Sequence, residues 1–216
     1  MSINIKSRII DRIISIIQRY YDYDEIKIKE IRYGLESIYL TIVKLLVITI
    51  ISIFTHTFKE LCLLFLFYGL LRTTGFGLHA KNSLECWIFT LLLFSIIPYA
   101  IKNLVIDNNY LLILSIILLP LIILYAPADT EKRPLINSKK RKIYKIITST
   151  ISVVYILIIY FYKNLYVSKI LCFSILLETL LVLPISYKLL GLKYNNYKRY
   201  KKGGTKWDYL LKLLPY

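Results

Sequence analysis

Six apolar runs joined by short polar connections are the feature that most constrains how this chain folds. They lie at about residues 35–55, 58–78, 86–101, 110–126, 143–162 and 165–190. A span needs roughly 20 apolar residues in a helix, so the shorter runs are expected to form tilted or incomplete spans. The hydrophobic fraction of 57% and the mean hydropathy of +0.58 are above those of soluble domains. The sequence therefore predicts an all-α integral membrane protein with about six transmembrane helices.

Residues 3–20 have the pattern of an amphipathic helix. Isoleucines recur with helical spacing at positions 3, 10, 13, 14 and 17, and Lys6, Arg8, Asp11, Arg12 and Arg19 lie between them. This is typical of a helix at the membrane surface and not of a cleaved signal peptide, whose apolar region is uninterrupted. We expect one polytopic membrane domain over residues 1–192, with the interfacial helix within 1–30, and a basic cytoplasmic tail over 193–216.

The distribution of the 29 lysines and arginines indicates the orientation of the spans. All but Lys44, Lys59, Lys102, Lys163 and Lys169 lie in segments 1–34, 72–85, 127–145 and 188–216. Basic connections stay on the cytoplasmic side, so both termini are expected on the cytoplasmic side of the cell membrane. The net charge of +16 then reflects topology and affinity for anionic lipid and an acidic partner. Nucleic-acid binding is not expected.

A polar segment from Arg72 to Cys86 lies between the second and third runs and contains His79. Polar groups at membrane depth are costly and are usually kept for function, so we place the candidate active site here. On one straight helix, His79 and Cys86 would lie about 10.5 Å apart along the axis, whereas proton transfer needs about 3 Å. The chain is therefore predicted to bend between them.

The bend is predicted at Asn82 and Ser83. Asn82 has the helix N-cap position and Glu85 the capping-box position, which places Cys86 in the first turn of the third span. A thiol at a helix N-terminus and near a histidine is favoured as thiolate. We therefore predict a dyad in which His79 accepts the thiol proton and later protonates a leaving amine.

Three neighbouring residues are candidates for binding the substrate. The amides of Gly75 and Gly77, or the Arg72 guanidinium, are predicted to stabilise an oxyanion or to position the substrate. The alternative is that His79 and Cys86 are incidental, since cysteine is often buried and histidine is common at interfaces. His79, Cys86 and Glu85 are too few ligands for a metal site, and neither a metal nor a cofactor is expected.

A second polar segment follows the fourth run, where Pro127 and Pro134 predict an extended loop. Asp129 in this loop is expected to support the site. The basic residues here are Lys132, Arg133, Lys139, Lys140 and Arg141. They predict either a topology determinant that binds lipid phosphate or a binding surface for an acidic peptide.

Two carboxylates lie within apolar runs, where each is costly unless paired. Glu36 is near the cytoplasmic end of the first span and is expected to meet Arg72 or the His79 loop. Glu178 is near the middle of the sixth span and is expected to neutralise Lys44 or to line a polar cleft. Structural pairing is the simpler interpretation of both.

The combination of Arg72, Gly77-Leu78-His79-Ala80 and Cys86 resembles the accessory gene regulator B family of membrane endopeptidases that process quorum-sensing peptides. Further agreeing stretches are Tyr33-Gly34-Leu35-Glu36, Tyr125-Ala126-Pro127-Ala128, and Glu178 with Leu183-Pro184-Ile185. The resemblance implies a catalytic His79 and Cys86, an important Arg72 and Gly77, and a homodimer. One departure is that many members have two adjacent glycines here, whereas Phe76 separates Gly75 from Gly77.

The resemblance also implies the substrate, a small precursor peptide with an acidic C-terminal part. Cleavage would remove that part, and the product would be cyclised to a thiolactone or lactone autoinducer. Two other interpretations stay open. One is a non-enzymatic peptide exporter or scaffold that binds the acidic tail, and the other is a structural lipid-binding membrane protein.

Overall fold

The computed structural model of the chain describes residues 5–79, 82–131 and 134–200. These residues are mainly helical, with an isolated parallel β-bridge between Phe76 and Ala128. The helices are α1 (Ile5–Tyr20), α2 (Glu25–Phe54), α3 (Phe58–Gly75), α4 (Ser83–Asn103), α5 (Asn108–Tyr125), α6 (Ser138–Tyr162), α7 (Leu165–Val182), α8 (Pro184–Leu189) and α9 (Tyr197–Tyr200). The order of the long helices follows the apolar runs of the sequence.

Five of these helices are long and apolar enough to cross a membrane: Glu25–Phe54, Leu84–Asn103, Asn108–Tyr125, Ser138–Tyr162 and Leu165–Val182. The chain is therefore an all-α integral membrane protein, as predicted. The remaining predicted span, α3, has 18 residues but carries Lys59, Glu60 and Arg72, which lower its apolar character. Its crossing of the membrane stays a prediction.

The chain divides into two compact units, residues 1–54 and 55–216. In the first unit, α1 packs antiparallel on α2, and Ile10 and Ile14 of α1 are buried. Lys6 Nζ lies 3.0 Å from Glu36 Oε2, and Arg32 Nη2 lies 2.7 Å from Asp11 Oδ1. Glu36 is thus paired, as the simpler interpretation predicted, and its partner is a lysine of α1.

In the second unit, α7 is the central helix. It packs against α3, α4, α5 and α6, and 61% of its residues are buried, compared with 11 to 22% in the other four candidate spans. The larger apolar core contains Leu71, Leu111, Leu118, Ile122, Tyr155, Ile159, Leu171 and Ile175. Apolar side chains that are exposed on the outer helices suit contact with lipid.

Small hydroxyl residues allow these helices to pack closely. Ser115, Ser152, Ser174 and Thr179 are buried, and each donates a hydrogen bond to the carbonyl four residues earlier in its own helix. Their polar groups are satisfied without a partner helix, and their small size brings neighbouring backbones together.

The helix boundaries have local causes in the sequence. Asp107, Asn137 and Asn164 are the N-cap residues of α5, α6 and α7, and each side chain accepts at least one backbone N–H of the first turn. The C-terminal end of α7 is set by Pro184, because the residue before a proline is disfavoured in helical conformation. This leaves terminal carbonyls of α7 available to other partners.

Candidate active site

The predicted bend between His79 and Cys86 is confirmed. Helix α3 ends at Gly75 and α4 begins at Ser83, so His79 lies in the connection and Cys86 lies in the first turn of α4. The Cys86 amide donates to the Asn82 carbonyl at 3.1 Å. Asn82 is the N-cap residue, but its side-chain amide donates to Glu85 Oε1 at 3.1 Å instead of the side chain capping a backbone N–H.

The side chains of the two predicted catalytic residues differ in their exposure to solvent. His79 is exposed, and Cys86 is partly exposed. Thr90, one turn further along α4, donates its hydroxyl to the Cys86 carbonyl, and its oxygen lies 3.9 Å from Cys86 Sγ. The thiol is therefore on the same side of α4 as a hydroxyl.

Backbone hydrogen bonds fix the path of the segment that leads to His79. The Gly77 amide donates to the Ala128 carbonyl at 2.8 Å, and the Ala128 amide donates to the Gly75 carbonyl at 3.0 Å. The Leu78 amide donates to the Leu181 carbonyl at 2.9 Å. The segment is thus tied on one side to the loop after α5 and on the other to the end of α7.

The glycines at 75 and 77 are required by close packing. A Cβ on Gly75 would lie 2.1 Å from Glu178 Oε1, and a Cβ on Gly77 would lie 2.3 Å from Arg72 Nη1 and 2.8 Å from the Leu181 carbonyl oxygen. Gly77 also has a φ of +89°, which L side chains rarely adopt. Because Gly75 closes α3 and the Gly77 amide already donates to Ala128, these amides do not support the predicted oxyanion contact.

Arg72 holds the carbonyl end of the same segment. Its Nη2 donates to the Leu78 carbonyl at 2.8 Å and to the Gly77 carbonyl at 3.4 Å. The charge of Arg72 also acts on Glu178, which is fully buried in α7. Glu178 therefore lies against Gly75 and within electrostatic range of Arg72. Its pairing with Lys44 stays a prediction.

Helix α6 contributes two further contacts to this segment. The Thr148 hydroxyl donates to Thr74 Oγ1 at 2.8 Å, and the rings of Phe76 and Tyr144 have centroids 5.2 Å apart. Local sequence pattern does not predict these contacts, because nothing in the periodicity of α6 distinguishes Thr148 from the other hydroxyl residues of that helix.

Asp129 joins the loop after α5 to the C-terminal part of the chain. Its carboxylate accepts the amides of Leu135 at 3.3 Å, Asn196 at 2.9 Å and Tyr197 at 2.7 Å. The Tyr187 hydroxyl donates to the Asp129 carbonyl at 3.1 Å. Burial raises the pKa of Asp129, and the three amide donors and the charge of Arg141 oppose this. Burial likewise raises the pKa of Tyr187.

These contacts give the first residues of the predicted tail a fixed place. Lys193 Nζ lies 3.1 Å from Glu131 Oε1, and the Arg141 guanidinium stacks on the Tyr197 ring at 3.6 Å. The segment Lys193–Tyr197 is thus attached to the same loop whose Ala128 holds Gly75 and Gly77. Asp129 was predicted to support the site. Its partners Asn196 and Tyr197 were not predicted, because they are 67 and 68 residues further along the chain.

The residues predicted to bind an acidic peptide are only partly described by the structure. Lys139 and Lys140 are exposed at the start of α6, and their amides donate to the Asn137 side chain. Arg141 is partly buried because it stacks on Tyr197. Lys132 and Arg133 lie outside the described residues. The backbone of Ser83 begins α4.

The other cysteines differ from Cys86 in their surroundings. Cys62 is exposed on α3, and Cys172 is buried in α7. All three cysteines are thiols. In the described ranges, no group of three or more histidine, cysteine, aspartate or glutamate side chains converges as metal ligands would.

Fold and site together define an integral membrane protein of helices whose α3–α4 junction carries a histidine and a cysteine. The sequence model described as "Accessory gene regulator B" matches residues 10–182. The chain is 30% identical over 202 residues to an AgrB-like protein of Clostridium acetobutylicum, covering 91% of this chain and 96% of that protein. It is also similar to accessory gene regulator protein B of Staphylococcus aureus, at 35% identity over 82% of this chain and 94% of the relative.

A third relative is accessory gene regulator protein B of Staphylococcus epidermidis, which is 36% identical over 82% of this chain and 91% of the relative. No solved structure matches the chain. The chain belongs to the accessory gene regulator B family, and the resemblance found in the sequence is confirmed.

Proposed function

We propose that this protein is a membrane cysteine endopeptidase that acts in accessory gene regulator quorum sensing. Its substrate would be a small precursor peptide with an acidic C-terminal part. The observation that carries the proposal is the α3–α4 junction, where Cys86 occupies the first turn of a helix and His79 ends a segment fixed by backbone hydrogen bonds. Membership of the family supports the same activity.

The first chemical step uses the thiol as nucleophile. Cys86 lies in the first turn of α4, and His79 would accept the proton of its thiol. The thiolate attacks the carbonyl carbon of the scissile peptide bond. His79 then protonates the leaving amine, the C–N bond breaks, and a thioester joins the remaining peptide to Cys86.

Donors for the oxyanion of this step are expected at the N-terminus of α4. The first amides of a helix have no carbonyl partners within that helix, and they lie beside the thiol of its first turn. The Gly75 and Gly77 amides are not assigned this role, because Gly75 ends α3 and the Gly77 amide donates to the Ala128 carbonyl. Arg72 would instead support the loop that carries His79.

The second step would transfer the acyl group within the peptide. An internal thiol of the precursor attacks the thioester carbon, a new thioester closes the ring, and Cys86 recovers its proton as a thiol. An internal hydroxyl would give a lactone by the same exchange. Exclusion of water near the membrane favours this transfer over hydrolysis of the acyl-enzyme.

The acidic part of the precursor would bind at the start of α6. Lys139 and Lys140 are exposed there and provide positive charge on the connection before α6. Lys132 and Arg133 belong to the same basic segment in the sequence. Opposite charge chiefly guides encounter and register, so these residues are assigned to binding and not to chemistry.

We also propose that both termini and the candidate active site face the cytoplasm, because the basic connections lie on that side. Val105, between α4 and α5, is 95% exposed and would face outward. In intact cells, a membrane-impermeant thiol reagent should label Val105→Cys but not Lys139→Cys. The reverse pattern would invert the topology. Anionic lipid and a homodimer stay predictions for the partners.

The activity is tested with purified enzyme in lipid vesicles and a synthetic precursor peptide that has an internal cysteine and an acidic tail. Cys86→Ala and His79→Ala should abolish cleavage. Cys62→Ala and His56→Ala are matched controls at other positions and should cleave normally. Mass spectrometry should detect an acyl-enzyme on Cys86. Tight peptide binding with no acyl-enzyme and no cleavage would favour the exporter or scaffold instead.

A further inference from the structure

Glu178 occupies an unusual position for a carboxylate. It lies within α7, is 0% exposed, and packs so closely on Gly75 that a Cβ there would come within 2.1 Å of Oε1 and 2.9 Å of Cδ. Among the residues that the structure describes, neither carboxylate oxygen has a hydrogen-bond partner. A buried charge of this kind is costly unless another charge compensates it.

Arg72 is a cation beside the same turn. Its Nη1 is buried and, within the described part of the chain, also lacks a hydrogen-bond partner. That nitrogen lies so close to Gly77 that a Cβ there would come within 2.3 Å of it. The Glu178 carboxylate therefore packs against Gly75, and the Arg72 guanidinium packs against Gly77. Only Phe76 separates these two glycines in the turn. The charges also act on the hydroxyls of Tyr68 and Tyr187.

The other terminal nitrogen of Arg72 reaches the chain immediately before His79. Nη2 donates to the Leu78 carbonyl at 2.8 Å, and this carbonyl belongs to the peptide group that links Leu78 to His79. On its amide side, Leu78 is held by the Leu181 carbonyl, three residues after Glu178. Arg72 and α7 thus fix both polar groups of the residue that precedes His79.

We propose that Glu178 is a positioning residue for His79. Its carboxylate fixes the Arg72 guanidinium by charge, and Arg72 in turn orients the Leu78–His79 peptide group. Glycine at 75 and 77 is required so that the two charged groups can approach the turn. The inference rests on the proposed function, since it assigns His79 the task of activating Cys86.

The test measures two properties of purified enzyme in lipid vesicles. One is kcat and KM for cleavage of the synthetic precursor, and the other is the rate at which iodoacetamide alkylates Cys86, read by mass spectrometry of the Cys86 peptide. Glu178→Gln keeps the shape and removes the charge. Loss of histidine alignment should lower kcat roughly 10- to 100-fold with KM within about twofold, because small misplacements of reacting groups cost that much. Alkylation should slow toward the His79→Ala rate.

Two variants serve as references for Glu178→Gln. Glu178→Asp retains the charge and should recover part of kcat. Glu60→Gln is the matched control, because Glu60 is a buried carboxylate near the opposite end of α3 whose Oε1 accepts the Tyr166 hydroxyl at 3.2 Å. Glu60→Gln should leave kcat and the alkylation rate of Cys86 unchanged.

A second pair of variants applies if Glu178→Gln does not fold. Gly75→Ala places a methyl group against the Glu178 carboxylate, whereas Gly69→Ala, on the same helix, meets nothing within 4 Å. Gly75→Ala should lower kcat and the alkylation rate of Cys86, and Gly69→Ala should change neither. Equal kcat and equal alkylation rates of Cys86 in these two variants would overturn the positioning role of Glu178.

The outcomes separate this inference from the proposed function. Slow alkylation in His79→Ala together with wild-type kcat and alkylation in Glu178→Gln would overturn the role of Glu178 and leave the dyad intact. An unchanged alkylation rate of Cys86 in His79→Ala would contradict the dyad, and it would therefore also contradict the positioning role of Glu178. Slow alkylation and low kcat in both variants, with normal Glu60→Gln, support the inference.

Discussion

The Leu78 amide donates a hydrogen bond to the Leu181 carbonyl at 2.9 Å, which attaches the residue before His79 to the last turn of α7. This bond depends on where α7 stops. In a continued helix, the Leu181 carbonyl would accept the amide four residues later, and Leu78 would lose its acceptor. The end of one helix thus supplies an anchor for a loop between two others.

Pro184→Ala should weaken this anchor. Alanine permits α7 to continue through Leu183, so the Leu181 carbonyl is taken by an amide of its own helix. We expect lower precursor cleavage, with a loss of about 1 kcal/mol in unfolding free energy for the hydrogen bond. Cleavage rates and thermal unfolding in detergent provide the measurement. Pro120→Ala, within α5, is the control and should cleave at the normal rate.

Gly77→Ala should destabilise the turn that carries His79. The new Cβ would meet Arg72 Nη1 and the Leu181 carbonyl, and the φ of +89° is strained for alanine. A cost above about 1 kcal/mol in unfolding free energy is expected, together with loss of cleavage. Gly34→Ala is the matched control, because its Cβ meets nothing within 4 Å in α2. Equal stability of the two variants would contradict the packing argument.

Asp129→Ala should release the segment Lys193–Tyr197 from the loop after α5. The carboxylate that accepts the Asn196 and Tyr197 amides is lost, so trypsin should cut after Lys193 and Lys198 faster than in the wild type. Time courses of digestion in detergent, read by mass spectrometry, measure this. Asp107→Ala removes the N-cap of α5 instead and should not speed cleavage at these two lysines.

Lys139→Glu combined with Lys140→Glu should weaken binding of the acidic precursor tail. Exposed charge pairs contribute about 0.5–1 kcal/mol each, so KM should rise roughly five- to thirtyfold with little change in kcat. The effect should shrink at high salt, because exposed charges are screened. Lys163→Glu lies just beyond the other end of α6 and is the control. A fall in kcat at constant KM would argue against a binding role.

The sequence was sufficient for features that depend on local pattern. Apolar runs gave the long helices, and Asn82 marked the start of α4 and hence the place of Cys86 in its first turn. Such features follow from periodicity and from backbone preferences, which act over a few residues.

The contacts that hold the site together depend on residues far apart in the chain. Gly75 and Gly77 were predicted to donate to an oxyanion, but the structure shows that they make room for Glu178 and Arg72. Glu36 pairs with Lys6, a contact that the sequence did not predict. Local sequence pattern predicts neither arrangement, because periodicity identifies the buried face of a helix but not the helix that packs against it.

Three of the bonds that hold Gly75, Gly77 and Leu78 join main-chain atoms only, through the carbonyl and amide of Ala128 and the carbonyl of Leu181. Main-chain groups are identical at every residue except proline. Exchange of the side chains at positions 78, 128 and 181 therefore leaves the bonding pattern available. The path of the loop can thus persist when the buried side chains at positions 78 and 128 change.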